Sequence, residues 1–206
     1  MTTVIFSHGK ESGPWGSKIT TMSKVAEQLG FRVESIDYQD LDSPEARVDR
    51  LVENISQQSD TVILVGSSMG GYVSLVAAER TNVVGVFLLA PALSMPGYEV
   101  QNYKYAGEVS MVHGWHDDIV PAENSINYAR TSPAPPLLLP PAPPPTNSMP
   151  HTPPSPRPSL PPFPTTPPSP PLFPDDTPPP PLPSAACVHL RLIAYFASVH
   201  SHHHTC

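Results

Sequence analysis

Thr61-Val62-Ile63-Leu64-Val65-Gly66-Ser67-Ser68-Met69-Gly70-Gly71 is the stretch that decides how this chain folds. Its first five residues are β-branched or apolar throughout, as expected of a parallel strand covered on both faces. The next five read G-x-S-x-G, the pattern of a sharp strand-to-helix turn that lifts its central serine clear of the backbone. Glycines two residues before and after that serine are needed because neighbouring backbone comes too close for a Cβ. The same turn leaves the Met69 amide at a helix N-terminus, where it can stabilise a negative oxygen. Ser68 is therefore the expected nucleophile, although serine is also a good helix cap in a tight turn. Ser67, its neighbour, is directed elsewhere by the turn.

Working outward, the chain alternates strands and helices. Residues 4–7 form a short apolar strand that runs into the loop 8–16. A helix is expected over 17–29, with Ile19, Met22, Val25, Ala26 and Leu29 at helical spacing and Gly30 as its stop. Residues 31–37 form the next strand. Ser43-Pro44 is a helix start, followed by the apolar stripe Val48, Leu51, Val52 and Ile55. Beyond the central strand at 61–66, a helix is expected over 69–79, strands over 83–90 and 109–112, and a helix over 123–130. This alternation predicts an α/β fold: a mostly parallel sheet flanked by helices, with active loops at the carboxyl ends of the strands. Only 17 residues, 91–107, separate the strand ending at Ala90 from the next, which leaves no room for a substantial lid.

Proline marks where this pattern ends. Of 31 prolines, five lie in residues 1–130 and the other 26 fall between Pro133 and Pro183. Each removes a backbone donor and fixes φ, so no helix interior or central strand survives that density. The expected organisation is a folded unit over 1–130, a disordered or polyproline Pro-rich segment over 131–184, and a short tail over 185–206. The net charge of −7 belongs to the first unit, which carries nine Lys and Arg against sixteen Asp and Glu. A mildly acidic body argues against nucleic-acid or anionic-membrane partners. Both cysteines, Cys187 and Cys206, sit in the tail, so the body needs neither a disulfide nor a thiol. No signal-like segment opens the chain, and the apolar stretch 185–199 is too short to span a bilayer and is broken by Arg191. These features suit a cytoplasmic protein.

Three segments carry a resemblance to a known family. They are Ser7-His8-Gly9-Lys10 after the first strand, Gly66-Ser67-Ser68-Met69-Gly70-Gly71, and His113-Gly114-x-x-Asp117-x-x-Val120-Pro121. In order and spacing, residues 1–130 resemble the α/β hydrolases, specifically the small lidless bacterial serine esterases. The resemblance implies that Ser68 attacks a small acyl ester or thioester and that Asp117 orients the catalytic histidine, with Asp118 as its competitor. It implies an oxyanion hole built from the amides of Lys10 and Met69. It assigns His8 to shaping the oxyanion turn, and of His113 and His116 it makes one structural and the other exposed. Neither a metal nor an organic cofactor is implied.

The catalytic histidine is not assigned. The expected chain order is Ser, Asp, His, with the histidine in a loop after a further strand and before a closing helix. After Arg130 that strand and helix are apparently lacking, and the remaining histidines are His151, His189, His200, His202, His203 and His204. Either the base comes from an unusual position in a genuine fusion, or the reading frame shifted soon after Arg130 and left an enzyme without its base. In the second case the underlying nucleotides, read in another frame, encode a strand and a histidine loop. A different class of reading makes the body a non-catalytic hydrolase-like scaffold whose Pro-rich tail is the functional part, with SH3 or WW modules as partners. The histidines of residues 200–206 do not define a zinc site, for want of a second ligand group.

Overall fold

In the computed structural model, residues 1–134 and 136–139 are described. The chain runs β1 (Thr2–Ser7), α1 (Ser17–Gln28), β2 (Arg32–Ile36), α2 (Pro44–Ser56), β3 (Thr61–Ser67), α3 (Met69–Arg80), β4 (Gly85–Leu89), β5 (Glu108–Val112), α4 (Ala122–Thr131) and β6 (Leu137–Leu139). The six strands form one sheet in the order β2-β1-β3-β4-β5-β6, and every pairing is parallel. The order reverses between β1 and β3, because the chain leaves β1 toward one edge and returns to build the other. A crevice opens at such a reversal, outside the carboxyl ends of the strands.

The inner strands β1, β3, β4 and β5 are buried on both faces, so their residues divide by parity between two cores. Ile5, Val62, Leu64, Val86, Leu88, Val109 and Met111 face α2 and α3, with Tyr128 of α4 in the same cluster. Val4, Phe6, Ile63, Val65, Phe87 and Leu89 face the other way and pack with Ile19, Met22, Val25 and Ala26 of α1. The helices start and stop where their chemistry directs. Ser43 caps α2 by accepting from the Ala46 N–H, with Pro44 in the first turn. Gly30, at φ +83°, ends α1 in the left-handed conformation, and the Phe31 N–H closes back onto the Ala26 carbonyl. α3 is buried nearly all round, as the helix behind the central strand must be.

The end of the folded unit is corrected. α4 runs to Thr131, and the chain then returns to the sheet as β6, in register Ser110 to Leu137, Met111 to Leu138 and Val112 to Leu139. The sheet therefore has a short further strand beyond Arg130. The reason is local: Leu137-Leu138-Leu139 is a proline-free run between Pro136 and Pro140, and an edge strand needs its hydrogen bonds on one side only. The rest of the Pro-rich segment expected over 131–184, the tail over 185–206 and all six histidines from His151 onward lie outside the described residues.

Candidate active site

Ser68 stands between the end of β3 and the first turn of α3 at φ 54° and ψ −121°. This is a conformation that glycine adopts readily and a residue with a Cβ adopts only under strain. Three backbone bonds hold it there. The Ser68 N–H donates to the Leu89 carbonyl (3.0 Å), and the Ser68 carbonyl accepts from the N–H groups of Gly71 and Ala92 (2.9 Å each). The flanking glycines are a steric requirement. A Cβ on Gly66 would lie 2.2 Å from the Gly70 carbonyl oxygen, and one on Gly70 would lie 2.0 Å from that of Ser7. The Ser68 side chain is itself half-buried and makes no hydrogen bond among the described residues.

The loop after β1 comes up against this turn: a Cβ built on Gly9 would touch Ser68 Cβ at 3.4 Å. Its shape is set by His8, which is buried. The Tyr38 N–H, which can only donate, gives its hydrogen to His8 Nε2 (3.0 Å), so the ring hydrogen is on Nδ1 and goes to the Gly9 carbonyl (2.7 Å). The same carbonyl takes a long bond from Arg47 Nη1 (3.4 Å). A trans peptide sets its C=O and N–H on opposite sides, so holding the Gly9 carbonyl toward His8 and Arg47 turns the Lys10 N–H the other way. The Lys10 side chain is exposed. Met69 is buried and opens α3, so its N–H is one of the four that an α-helix leaves without an internal partner. Burial lowers the pKa of His8, and the nearby Arg47 charge adds to this. With both nitrogens committed, His8 is a neutral strut.

Asp117 lies in the loop after β5, on the same carboxyl edge. Its Oδ1 accepts from the N–H groups of Ile119 and Val120 (2.9 Å each), which fixes the carboxylate and leaves Oδ2 without a hydrogen bond among the described residues. Partial burial pushes its pKa up, but the two amides, with His113 and Lys18, outweigh this and the net shift is downward. Asp118 next to it is exposed. His113 is buried with both nitrogens engaged: Nε2 donates to the Val120 carbonyl (2.9 Å) and Nδ1 accepts from Ser125 Oγ (2.6 Å). Asp117 Oδ2 stands 3.8 Å from His113 Nε2, too far for a hydrogen bond. His116 is exposed.

The segment 91–107 lies down on the body. Glu99 N–H reaches Glu45 Oε1 (3.0 Å), Val100 N–H reaches the Tyr72 hydroxyl (3.1 Å), and Asn124 Nδ2 reaches the Leu93 carbonyl (2.8 Å). Tyr98 stacks obliquely on Tyr72 at 4.6 Å. Burial raises the pKa of Tyr72 to about 12, so its hydroxyl stays a donor to Glu45 (3.1 Å). Sequence reasoning missed Arg47 and Glu45, because a charge on a helix normally reads as solvated surface, and Tyr38, which lies in the loop between β2 and α2. Arg47 is in fact buried, its Nε on the Leu41 carbonyl (2.8 Å) and its guanidinium over the Tyr38 ring. Among the described residues no group of three or more His, Cys, Asp or Glu could hold a metal ion.

The sequence model of an uncharacterised protein family, UPF0227, matches residues 3–124. A protein of Xanthomonas campestris pv. campestris, named as a hydrolase of the alpha/beta superfamily, is 32% identical, with a TM-score of 0.60 over 66% of this chain and 85% of that one. The chain belongs to the α/β-hydrolase superfamily. A lidless α/β serine hydrolase, also from Xanthomonas campestris, superposes with a TM-score of 0.56 at 23% identity, over 68% of this chain and 70% of its own. Mouse alpha/beta hydrolase domain-containing protein 10 does so with a TM-score of 0.54 at 20% identity, over 66% and 79%. No curated protein sequence matches. In this α/β hydrolase no described helix is long and apolar enough to cross a membrane.

Proposed function

We propose that this α/β hydrolase is a serine hydrolase of carboxylic esters or thioesters, working through an acyl-enzyme on Ser68. The observation that carries the reading is the backbone of Ser68 itself. A non-glycine residue held at φ 54° and ψ −121° costs on the order of 1–3 kcal/mol. Such strain is retained where function requires the side chain, and here it sets one hydroxyl beside the Gly9 loop at the sheet's switch point.

In the first half-reaction Ser68 Oγ bonds to the acyl carbonyl carbon while its proton passes to a base. The carbonyl oxygen becomes an oxyanion that the amides of Met69 and Lys10 receive. Collapse breaks the bond to the leaving alcohol or thiol, which takes the proton, and water then repeats the sequence on the acyl-enzyme. Asp117, pinned by two amides through Oδ1, keeps Oδ2 available to orient the base. Two of the three described histidines have both ring nitrogens occupied and the third, His116, is exposed and makes no hydrogen bond among the described residues, so this reading takes its base from the histidines after residue 139. The named lidless serine hydrolase supports the class of mechanism, and the pinned 91–107 segment supports an open cleft for a small substrate.

The same histidine inventory favours one second reading, a hydrolase body that retains its turn without its base. Labelling the full chain with a fluorophosphonate probe separates the two. Labelling abolished by Ser68→Ala supports the hydrolase. A folded chain that does not label leaves only the scaffold.

A further inference from the structure

Arg47 is the only lysine or arginine buried among the described residues, at 3% exposure. The four other described arginines each stand within 4 Å of a carboxylate: Arg32 of Asp60, Arg50 of Asp40, Arg80 of Asp49 and Arg130 of Glu123. Arg47, the one taken out of water, has no such partner among the described residues, and Asp42 acts on it from farther off. Burial lowers its pKa, yet a guanidinium keeps its charge in a protein. A buried charge is ordinarily paired, and one left without a counter-charge is costly.

That charge is set behind the loop after β1. Arg47 lies near the start of α2, which Ser43 caps, and its Nε donates to the Leu41 carbonyl (2.8 Å). Its guanidinium carbon stands 5.5 Å from the centre of the Tyr38 ring, whose hydroxyl shares a hydrogen bond with Ser7 (3.0 Å). Nη1 is 3.4 Å from the Gly9 oxygen, whereas His8 Nδ1 is 2.7 Å from it. His8 therefore fixes the direction of the Gly9–Lys10 peptide, and what Arg47 adds is charge rather than a strong hydrogen bond. A cation at the carbonyl end of a peptide draws electron density through the conjugated C–N bond and makes the N–H at the other end a better donor. Across one peptide and one hydrogen bond, an oxyanion at the Lys10 N–H would lie roughly 8 Å from the guanidinium. In a partly buried site two charges at that range still attract appreciably. We propose that Arg47 is a positioning residue of the oxyanion hole, polarising the Gly9–Lys10 peptide from behind. The oxyanion that forms at the Lys10 amide is the counter-charge that Arg47 lacks at rest. This rests on the reading in which that amide receives the oxyanion.

Two charge-removing variants of the full chain test this. Arg47→Gln keeps a donor for the Leu41 carbonyl, and Arg47→Met fills a similar volume should the glutamine variant fail to fold. In the hydrolysis of p-nitrophenyl acetate the neutral variant is expected to lower kcat about tenfold or more while KM stays within about twofold, because the charge acts on the oxyanion and not on the ester. Outright loss of an oxyanion donor costs about 10²–10³, which bounds the effect from above. The carbonyl carbon resonance of Gly9 should move upfield in the same variant, because a carbonyl relieved of a neighbouring cation is less polarised. A folded neutral variant with the parental kcat, or one that raises KM alone, overturns the proposal. So does a Gly9 carbon that does not move. A parent chain that neither hydrolyses the ester nor labels with a fluorophosphonate fails the serine-hydrolase reading instead, and the Gly9 resonance then decides alone whether Arg47 acts on this peptide.

Discussion

Replacing the proposed nucleophile by glycine should make the protein more stable. At φ 54° and ψ −121° Ser68 sits where a Cβ meets the backbone, a strain of about 1–3 kcal/mol that glycine does not have. Glycine also frees the unfolded chain, which takes back about 0.5–1 kcal/mol. Among the described residues no hydrogen bond of Ser68 Oγ is lost. The balance is a stabilisation of about 0–2.5 kcal/mol, or an increase in Tm of up to about 10 °C for a domain of this size. Ser68→Ala keeps the Cβ and therefore the strain, so its Tm should stay within about 2 °C of the parent. Differential scanning calorimetry of the three full-length chains reads the order directly. A glycine variant that melts at or below the alanine variant would refute the claim that this backbone is strained.

Three further outcomes follow from neighbouring residues. Gly70→Ala must move backbone, since its Cβ would lie 2.0 Å from the Ser7 oxygen, so a loss of about 3 kcal/mol or more is expected in urea unfolding. Asp117→Asn keeps an oxygen for the Ile119 and Val120 amides, so the Tm should hold while fluorophosphonate labelling slows by roughly 10⁴. His8 has a folded pKa below its ordinary 6.5, so the unfolded chain binds the extra proton. Stability from this group is full above about pH 7 and falls as the pH drops through 6.5 toward the folded value. Melting His8→Gln between pH 7.5 and 5 should show a shallower slope than the parent.

The element order was legible because each buried strand is bounded by residues with local meaning. Ser43-Pro44, Gly30 and the glycines around Ser68 announce their geometry whatever surrounds them, and α2 begins at Pro44 as they require. Strand β6 was not legible. Leu137-Leu138-Leu139 has no period and no turn signal, and only its pairing with Ser110, Met111 and Val112 makes it a strand. Arg47 was hidden for a similar reason. Its burial depends on the Leu41 carbonyl and the Tyr38 ring, which only the tertiary fold brings to it. The positions of Ser68, Gly9 and Asp117 on one carboxyl edge follow from strand order, which alternation implies; the tautomers of the two buried histidines do not.

Those tautomers bear most on the chemistry. Both rings are buried and held at each nitrogen, with the tautomer set by the Tyr38 N–H in one and the Val120 carbonyl in the other, and neither can take a proton from Ser68 without breaking a bond that shapes a loop. His116 is exposed and adjoins Asp117 in sequence, but its ring makes no hydrogen bond among the described residues. The base is therefore expected among the histidines after residue 139. His116→Asn should leave Ser68 labelling within about twofold, whereas removing the six later histidines together should reduce it by as much as about 10⁶. The reverse pattern would identify His116 as the base and make the tail dispensable to the chemistry. Labelling that withstands both sets of changes would mean that Ser68 reacts without a histidine, and the triad assignment would fall.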